Sequence, residues 1–579
     1  MKRVIKLAFA IIAIASLGFA QTAETRHYWI VLRTKDVSLP LQNRTSQALG
    51  ITARALKRRA KSIPFNRLVD ELDLPVSESS IAHIKQTGVK IRTISRWFNA
   101  VSVEATPVQL QLLNVLPVVA ASEPIAQFKR SRPQPLSVPP LPLAKTFYAQ
   151  GLDYGQSATQ LTNIKVVDLH ALGVNGAGVL IGMLDDGFNN YRTHSALKQI
   201  IVEADSDFIH HISDVNRQPW ENFEQGNHGA GTLSEVGGFD NGHMIGAAYG
   251  ASFLLAKTEM DSSGNSDFHS EEDTYIAALE WMERLGVDIT SSSLGYKEFQ
   301  TPPFYTTSDM NGRTTKVAQA AVIAARKGVL VVTAMGNEGS MPSGFYKDST
   351  LVSPADADSI IAVGNTTSDG ELNPSSSTGP TADGRIKPEV VAQGTGIFWA
   401  DGSTTHAYQN GVSGTSCSTP LVAGAAALVL SAHPELTNMQ IRQALLNTAA
   451  PSAFKTWQNS VYPNNYYGWG FINAYAAAMY YGPINPTVIK ISQNYPNPFS
   501  NTIPTHIQFT LPFPAEIDLA IFNLLGQRVK TIYRGWKLSG DTRQWDGTND
   551  DGHQVATGVY FARLKTPDEI SSIKMLYIK

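Results

Sequence analysis

The middle of this 579-residue chain is predicted to fold as an α/β domain, a mainly parallel sheet with helices on both faces. Short apolar runs of strand length alternate there with longer stretches of helical composition. Such an alternation needs crossover connections, which bring successive strands into parallel pairs. Proline-containing stretches separate the region from its neighbours, which places its bounds at residues 154–482. The predicted strands are 179–184, 253–256, 288–291, 329–334 and 360–363, and the predicted helices are 273–285, 317–327 and 439–447.

Residues 1–20 have the composition of a signal peptide. Basic residues precede the apolar run 7–17, and small residues stand before Gln21. The run is short for a membrane span, and an uncleaved anchor is the alternative. The single cysteine, Cys417, excludes a disulfide within the chain, so an exported protein must gain its stability from core size or bound ions.

The region between the signal peptide and the α/β domain is predicted to hold a small α+β domain, residues 21–128. Strand-like runs at 27–32 and 100–103 flank helical sequence there. The basic run 54–61 is interpreted as a solvated helix face. Residues 129–153 carry five closely spaced prolines and are predicted to form an extended linker, which is a natural site for proteolytic nicking.

The C-terminal region is predicted to be an all-β sandwich, residues 493–579, that follows a linker at 483–492. Strand-like runs at 507–511, 517–522 and 559–564 are separated by turn signals. Short alternating strands with such turns are typical of a sandwich.

A candidate nucleophile stands where an apolar helix is predicted to begin. Ser416 follows Gly414, and the uncharged run 421–432 continues until Pro434. Free backbone N–H groups and the helix dipole at such an end stabilise an oxyanion formed beside the serine. Pro420 is compatible with this placement, since its missing N–H is expected in the first turn. The run is too short for a membrane span, and a small-residue loop before a core helix is the alternative interpretation of the motif alone.

Three further candidates stand beside predicted strand ends or helix starts. Asp185 follows the strand 179–184 and is placed to orient a histidine. His228 stands at a predicted helix start. Asn337 follows the strand 329–334, where its carboxamide can donate a hydrogen bond to an oxyanion. Each motif alone is weak, but the set in the order Asp, His, Asn, Ser indicates a catalytic constellation.

These motifs together resemble the subtilisin-like serine proteases over residues 154–481. The same chain order of Asp, His and Ser is found in subtilisin. The residues that carry the resemblance are Leu184, Asp185, Asp186 and Gly187 with His194; His228 and Gly229; Ser293, Leu294 and Gly295; Ala334, Met335, Gly336 and Asn337; and Gly414, Thr415 and Ser416 with Pro420.

The resemblance implies an endopeptidase that hydrolyses proteins or peptides and requires no cofactor for its chemistry. Ser416 is then the nucleophile, His228 the general base and Asp185 the partner of the histidine. The oxyanion hole is implied to include Asn337. A catalytically inactive adhesin or scaffold with the same fold is the alternative from another class, and a peptide ligase is the enzymatic alternative. The implied substrate-binding residues are Ser293, Leu294, Gly295, Ala334, Met335 and Gly336.

Three positions depart from the usual pattern of the family. Asp186 stands where much of the family has Ser or Thr and resembles the second carboxylate of the proprotein convertases, which faces basic substrate residues. A solvated neighbour of the catalytic aspartate is the alternative. Ala230 replaces a common Thr by another small residue. Cys417 follows the nucleophile and is interpreted as a buried packing residue, although its oxidation would crowd the site.

The net charge of the chain indicates which partners to expect, and its acidic residues are candidate metal ligands. The 47 Lys and Arg balance 49 Asp and Glu at a net charge of −2, so nucleic acid is not an implied partner. Structural calcium is a habit of the family, and Asp205 with Asp207 or Asp356 with Asp358 could serve. No run of the sequence has the spacing of a calcium-binding loop.

The flanking regions resemble two further modules. Residues 95–103 resemble the inhibitory and folding-assisting propeptides of the same family, which implies a zymogen that binds its own propeptide; a permanent accessory domain is the alternative. Residues 493–579 resemble the type IX secretion sorting domain of Bacteroidetes, and a carbohydrate-binding module is the alternative. The sorting domain implies passage through the type IX machinery of a Gram-negative bacterium to the surface or the medium. Its matching motifs are 493–499, 523–529, 545–547, 558–560 and 574–579.

Overall fold

The computed structural model describes residues 25–35, 46–125, 127–128, 152–221, 224–260, 271–296, 299–301, 305–339, 349–450, 461–483, 489–491, 493–511, 515–538, 540–567 and 569–579. The chain forms two compact units, one within residues 1–49, 69–127 and 301–303 and the other within residues 50–68, 128–300 and 304–579. The signal peptide predicted at 1–20 and nearly all of the linker predicted at 129–153 lie outside the described residues.

The helices are α1 (Ala53–Arg59), α2 (Glu78–Gln86), α3 (Pro107–Asn114), α4 (Ala158–Asn163), α5 (Val166–Ala171), α6 (Asn227–Gly237), α7 (Glu272–Leu285), α8 (Lys316–Arg326), α9 (Thr415–Ala432), α10 (Asn438–Asn447) and α11 (Ala474–Met479). The strands are β1 (Arg26–Leu32), β2 (Lys90–Ser95), β3 (Ala100–Ala105), β4 (Val119–Pro124), β5 (Gln127–Phe128), β6 (Leu180–Asp185), β7 (Ile201–Asp207), β8 (Phe239–Asp240), β9 (Met244–Ile245), β10 (Ser252–Lys257), β11 (Ile289–Ser292), β12 (Phe299–Thr301), β13 (Leu330–Ala334), β14 (Ile361–Thr366), β15 (Val390–Gln393), β16 (Thr395–Ala400), β17 (Tyr408–Ser413), β18 (Lys490–Ile491), β19 (Thr505–Thr510), β20 (Ala515–Phe522), β21 (Arg528–Lys537), β22 (Asp541–Trp545), β23 (Gly558–Lys565) and β24 (Ile570–Tyr577).

The first unit contains a four-stranded antiparallel sheet with the strand order β2-β3-β1-β4 and the helices α2 and α3. Apolar residues that point to one side of the strands form its core with Leu113 of α3. Helix α3 begins with a capping box, in which Thr106 and Gln109 satisfy each other's backbone N–H groups. The mixed α+β composition agrees with the sequence prediction.

The second unit is organised around a seven-stranded sheet with the order β15-β14-β13-β11-β6-β10-β7. All of its neighbouring strands are parallel, so their carboxyl ends share one edge. This confirms the predicted fold class. The sequence analysis missed β7 and β15, because β7 carries acidic residues in an edge position and β15 has only four residues.

Helix α9 is the central helix of the second unit. Sixteen of its eighteen residues are buried, from Thr415 to Leu430. It is the one helix among the described residues with the length and hydropathy of a membrane span, and 89% of that stretch is buried inside the protein. Helix α9 is therefore a core helix, which explains why it is apolar on all sides.

Two antiparallel sheets form the C-terminal sandwich, β18-β19-β22 and β21-β20-β23-β24. Alternate residues of β19 and most residues of β20 are buried, and the aromatic rings of Phe499, Trp545 and Tyr577 pack together in the core. This is the predicted all-β arrangement. Trp545 is 1% exposed, so it belongs to the core and is not available to a sugar.

Candidate active site

Asp185 and His228 form a hydrogen-bonded pair at the carboxyl edge of the central sheet. Asp185 ends β6, and His228 is the second residue of α6. The Nδ1 atom of His228 lies 2.6 Å from Oδ1 of Asp185. Because a carboxylate only accepts hydrogen bonds, Nδ1 carries the proton and Nε2 carries the lone pair. The pair therefore holds the histidine in the tautomer that can take a proton at Nε2.

Two further donors fix the Asp185 carboxylate. The N–H of Asp186 donates to Oδ1 at 2.8 Å, and the Thr232 hydroxyl donates to Oδ2 at 3.0 Å. Asp185 is only 1% exposed, so these bonds replace its lost hydration. The sequence analysis did not single out Thr232. Its position four residues after His228, on the same face of α6, is the signal that could have identified it.

A glycine allows α6 to approach the end of β6. A Cβ atom on Gly229 would lie 2.0 Å from the Gly187 carbonyl oxygen and 2.9 Å from the Asp185 Cβ. No larger residue fits there without moving the helix, which would break the contact between His228 and Asp185. The imidazole is also held from the side by Trp399, whose ring meets it edge to face at 5.7 Å.

Asp186 has a structural role at the start of α6. Its Oδ1 accepts the N–H of Gly229 at 2.9 Å, and the residue is 1% exposed. A carboxylate at a helix N-terminus stabilises free N–H groups and the helix dipole. The burial makes the solvated interpretation wrong, and the geometry does not favour contact with a basic substrate residue.

Ser416 lies at the same edge of the sheet. It is the second residue of α9, and its Oγ donates to the Ser293 carbonyl at 3.3 Å. Leu184 and Ser292 are paired in register between β6 and β11, so the next residues, Asp185 and Ser293, leave neighbouring strands side by side. The hydroxyl of Ser416 therefore contacts the end of the strand next to the one that Asp185 ends.

The structure corrects the prediction for Pro420. Helix α9 begins at Thr415, so Pro420 is the sixth helical residue and does not lie in the first turn. Its missing N–H would have bonded to the carbonyl of Ser416, four residues earlier. That carbonyl instead accepts the Ser293 hydroxyl at 2.8 Å. Ser293 therefore compensates for the proline and ties the helix start to the end of β11.

Asn337 is oriented by the first residue of α9. Its Oδ1 accepts the Thr415 N–H at 2.9 Å and the Thr415 hydroxyl at 3.1 Å. These two donors fix the oxygen end of the carboxamide, which leaves the NH₂ end directed elsewhere. Asn337 and Ser416 line the same cleft.

The cleft brings together most of the predicted substrate-binding residues. Met335 is the exception, because its side chain is buried in a small core with Met310 and Leu351. A Cβ atom on Gly336, whose φ is +108°, would lie 2.3 Å from Glu338 Oε2, so this position requires glycine. The cleft is lined by Glu259, Glu271, Ser293, Leu294, Gly295, Tyr296, Ala334, Gly336, Asn337, Glu338, Val352, Thr415 and Ser416.

Carboxylates that the sequence analysis did not single out also line this cleft. The Tyr296 hydroxyl donates to Glu259 Oε1 at 2.5 Å, and the Met260 N–H donates to Glu271 Oε1 at 2.8 Å. Burial, followed by the charges of Glu259 and Glu271, raises the pKa of Tyr296 well above its usual value. The phenol of Tyr296 therefore stays protonated and remains a hydrogen-bond donor to Glu259.

Cys417 is fully buried beside the candidate nucleophile. Burial, and secondly the charge of Glu235, raises the pKa of its thiol well above the usual value. Thiolate is the reactive form, so the buried thiol is protected from oxidation and alkylation. This agrees with the interpretation of Cys417 as a packing residue.

Glu235 lies on α6, two turns after His228, and it is fully buried. Neither of its carboxylate oxygens has a hydrogen-bond partner among the residues that the structure describes. Burial therefore raises the pKa of Glu235 well above its usual value. Burial thus favours the protonated, uncharged form of this side chain in the folded state.

This burial predicts a stability that falls as the pH rises. The folded-state pKa of Glu235 exceeds the unfolded value, so its contribution is fully present below the unfolded pKa of about 4.3 and is lost as the pH rises toward the folded pKa. The substitution Glu235→Gln keeps the size of the side chain but replaces the ionisable carboxyl group by an amide that does not titrate. Because the amide has no proton to lose, we expect Glu235→Gln to raise the free energy of unfolding more at pH 8 than at pH 5. Urea unfolding at pH 5 and pH 8, in a Ser416→Ala background to prevent autolysis, measures this; equal gains at both pH values would contradict it.

Three of the four aspartates considered for calcium have partners within the chain. Asp205 accepts the Arg192 guanidinium at 2.9 Å, and Asp207 lies 3.3 Å from the Lys257 ammonium. Basic side chains of the chain itself thus neutralise this pair. In the other pair, Asp356 is buried and accepts the N–H of Gly312 at 2.7 Å, and burial raises the pKa of its carboxyl group. No step of the chemistry below involves a metal.

Family models match three parts of the chain. The model described as the subtilase family covers residues 176–470. The model described as the peptidase S8 propeptide domain of Bacteroidota covers residues 27–137. The secretion system C-terminal sorting domain covers residues 493–579.

Curated relatives are similar over the same central region. Subtilisin E of Bacillus subtilis (strain 168) is 33% identical over 334 residues, which are 57% of this chain and 72% of the relative. Subtilisin of Bacillus pumilus is 33% identical over 333 residues, 57% of this chain and 100% of the relative. Among solved structures, the crystal structure of MycP1 with the N-terminal propeptide removed has 21% sequence identity and a TM-score of 0.43, and it covers 57% of this chain and 98% of that chain.

An aspartate–histidine pair at the carboxyl edge of a parallel sheet, with a serine hydroxyl bonded to the end of a neighbouring strand, is typical of the class of serine hydrolases. The chain belongs to the subtilase family. It is a serine-type endopeptidase made with a propeptide domain. Its sorting domain directs it through type IX secretion to the cell surface or the medium.

Proposed function

We propose that this protein is a secreted zymogen whose catalytic unit hydrolyses peptide bonds through Asp185, His228 and Ser416. One observation carries the proposal: the 2.6 Å contact between Asp185 and His228 lies at the sheet edge where Ser416, the second residue of α9, bonds to the Ser293 carbonyl. A buried carboxylate, a histidine tautomer with a lone pair at Nε2 and a hydroxyl at a helix start are the parts that acyl transfer needs.

Acylation starts at the Ser416 hydroxyl. Oγ attacks the carbonyl carbon of the scissile peptide bond, and His228 Nε2 takes the hydroxyl proton. Asp185 keeps its hydrogen bond to Nδ1–H and stabilises the imidazolium. The proton then passes from Nε2 to the leaving amine, the C–N bond breaks, and an ester on Ser416 remains.

The tetrahedral intermediate carries its negative charge between two donors. Asn337 supplies its carboxamide NH₂, and the free backbone N–H of Ser416 at the start of α9 supplies the second hydrogen bond. Water, deprotonated by His228, then hydrolyses the ester through a second intermediate of the same kind. The proton returns to Ser416 Oγ and the enzyme is regenerated.

The substrate backbone is positioned by the chain segments on either side of the cleft. The segment 293–295 follows β11, and the segment 334–336 starts with the last residue of β13, so both offer backbone groups at the carboxyl edge. An extended peptide can add to them as a further strand. The chain's own propeptide region is the first such ligand, and its departure from the cleft activates the zymogen.

A fluorophosphonate probe tests the nucleophile directly. The hydroxyl of an activated serine displaces fluoride and becomes phosphonylated, whereas an ordinary serine does not react. We expect one adduct per wild-type chain, located on the peptide that contains Ser416, and none in His228→Ala. Labelling elsewhere, or equal labelling of the histidine variant, would contradict the proposed triad.

The acidic wall of the cleft predicts a charge preference. Glu259, Glu271 and Glu338 line the pocket that contains Ser416, so a cationic side chain is attracted and an anionic one repelled. We expect kcat/KM for an arginine-containing fluorogenic peptide to exceed that of its glutamate counterpart by about tenfold or more at low salt. The ratio should shrink at 0.5 M NaCl and in Glu338→Gln. Equal cleavage of the two peptides at low salt would disprove the preference.

A further inference from the structure

The segment Gly50–Leu68, called the di-arginine segment below, belongs to the second compact unit although a propeptide-domain model covers it. The sequence analysis interpreted its basic run as a solvated helix face. That interpretation is wrong for two residues, because Arg58 is 3% exposed and Arg59 is 0% exposed. Arginines are almost never buried unless they are paired, so these two must have an ion-pair partner.

The ion-pair partner of both arginines is the carboxylate of Glu283 on α7. Arg59 binds it in bidentate fashion, with Nε 2.8 Å from Oε1 and Nη2 2.6 Å from Oε2. Arg58 Nη2 contacts Oε1 as well. Glu283 is itself 0% exposed. Planar guanidinium groups match a carboxylate in this geometry, and a buried carboxylate needs such partners.

The segment also satisfies the carbonyl groups at the C-terminal end of α7. The Thr52 N–H donates to the Arg284 carbonyl at 2.9 Å, and the Thr52 hydroxyl donates to the Leu285 carbonyl at 2.9 Å. Arg58 Nη1 donates to the Glu283 carbonyl in the last turn of α7 at 3.2 Å and to the Val287 carbonyl just after the helix at 2.6 Å. The last carbonyls of a helix lack intrahelical partners and carry the negative end of its dipole, so cationic donors are favoured there.

Contacts with three other parts of the second unit extend this docking surface. Arg58 Nε donates to the Lys327 carbonyl just after α8 at 3.3 Å, and Lys61 Nζ donates to the Leu436 carbonyl at 3.1 Å. Arg54 Nη2 lies 2.6 Å from Asp288 Oδ2. The surface is shaped for the segment, because a Cβ atom on Gly286 would lie 2.7 Å from the Ala55 backbone nitrogen.

The docked segment is remote from the cleft. It contacts the C-terminal end of α7, whereas Glu271, which directly precedes the helix, lines the cleft at the other end. Fourteen residues of α-helix span about 20 Å. Occupancy of this surface therefore does not obstruct Ser416, unlike a propeptide bound in the cleft.

We infer that the di-arginine segment is a permanent part of the mature catalytic unit, held on Glu283 after the linker is cut. The inference that it persists after maturation rests on the proposed zymogen function. Its loss would leave Glu283 as a buried charge with neither guanidinium, together with the unsatisfied carbonyls at the ends of α7 and α8. A mature enzyme would then consist of two non-covalently associated chains.

A nicking experiment tests the inference without relying on self-processing. Full-length Ser416→Ala protein is cut briefly with trypsin, for which the linker offers Lys129, Arg130 and Lys145. The products are separated by gel filtration in native buffer and identified by mass spectrometry. We expect a fragment that contains residues 50–68 to co-elute with the catalytic chain. Elution of that fragment apart from the catalytic chain overturns the inference.

Variants assign the retention to the buried charges. We expect the Glu283→Gln protein to hold the nicked fragment at least tenfold more weakly than the parent. The fraction of fragment that dissociates is measured at a series of urea concentrations. Lys57→Met is the matched control, because Lys57 is an exposed basic residue on the same turn of α1 as the two buried arginines. Its nicked fragment should be retained as firmly as that of the parent. Equal retention of Glu283→Gln and the parent would show that Glu283 does not hold the segment. If wild-type protein is never processed, the zymogen proposal fails while this docking result stands.

Discussion

Ser416→Ala is expected to lower kcat for a peptide substrate by about a million-fold, the loss found when the nucleophile of subtilisin is removed. The hydroxyl oxygen is the only atom of Ser416 that can form the acyl ester, and alanine leaves none in its place. Binding should change little, since the backbone N–H and the cleft remain. Steady-state kinetics with a fluorogenic peptide give kcat and KM separately.

Ser418→Ala is the matched control for this substitution. Ser418 lies two residues further along α9 and is equally buried, and its hydroxyl donates only to the Thr415 carbonyl at 3.1 Å. Its activity should stay within a few-fold of wild type. Comparable losses in both variants would mean that α9 is sensitive to any substitution and that Ser416 has no special role.

Asp185→Asn is expected to lower kcat by about 10⁴-fold, with little change in the fold. The amide keeps the size of the carboxylate but removes the charge that stabilises the imidazolium. It can also donate to Nδ1 of His228, which favours the wrong tautomer. Kinetic constants and thermal unfolding of the same preparation separate a catalytic loss from a loss of structure.

Asp186→Asn separates the two neighbouring aspartates. Its amide oxygen can still accept the N–H of Gly229, so activity should stay within about tenfold of wild type. A loss as large as that of Asp185→Asn would reverse the assignment of the pair. Wild-type activity in Asp185→Asn would remove Asp185 from the proposed mechanism.

The strand ends explain why much of the site was predictable from sequence. In a parallel sheet, residues that follow different strands meet at one edge, so Asp185, Ser293 and Asn337 could be brought together without coordinates. The apolar run after Ser416 indicated a buried helix that starts there. Local patterns of this kind depend on neighbours in the chain, and the sequence displays them.

The features that the sequence did not predict depend on distant partners. The burial of Arg58 and Arg59 requires Glu283, more than two hundred residues away, and the composition of α1 alone is that of a solvated helix. In the same way, the tolerance of Pro420 within α9 depends on the Ser293 hydroxyl. Burial and compensation of this kind are properties of tertiary structure, so no local pattern reports them.

The measurement that tests the central claim most directly is the intact mass and N-terminal sequence of purified wild-type protein beside Ser416→Ala, with casein digestion by both. We expect wild type to be cut between the propeptide domain and the catalytic unit and to digest casein, while Ser416→Ala stays uncut and inert. The new N-terminus would locate the processing site. If both proteins stay uncut and inactive across pH and calcium concentration, the account is contradicted and the inactive scaffold becomes the better description.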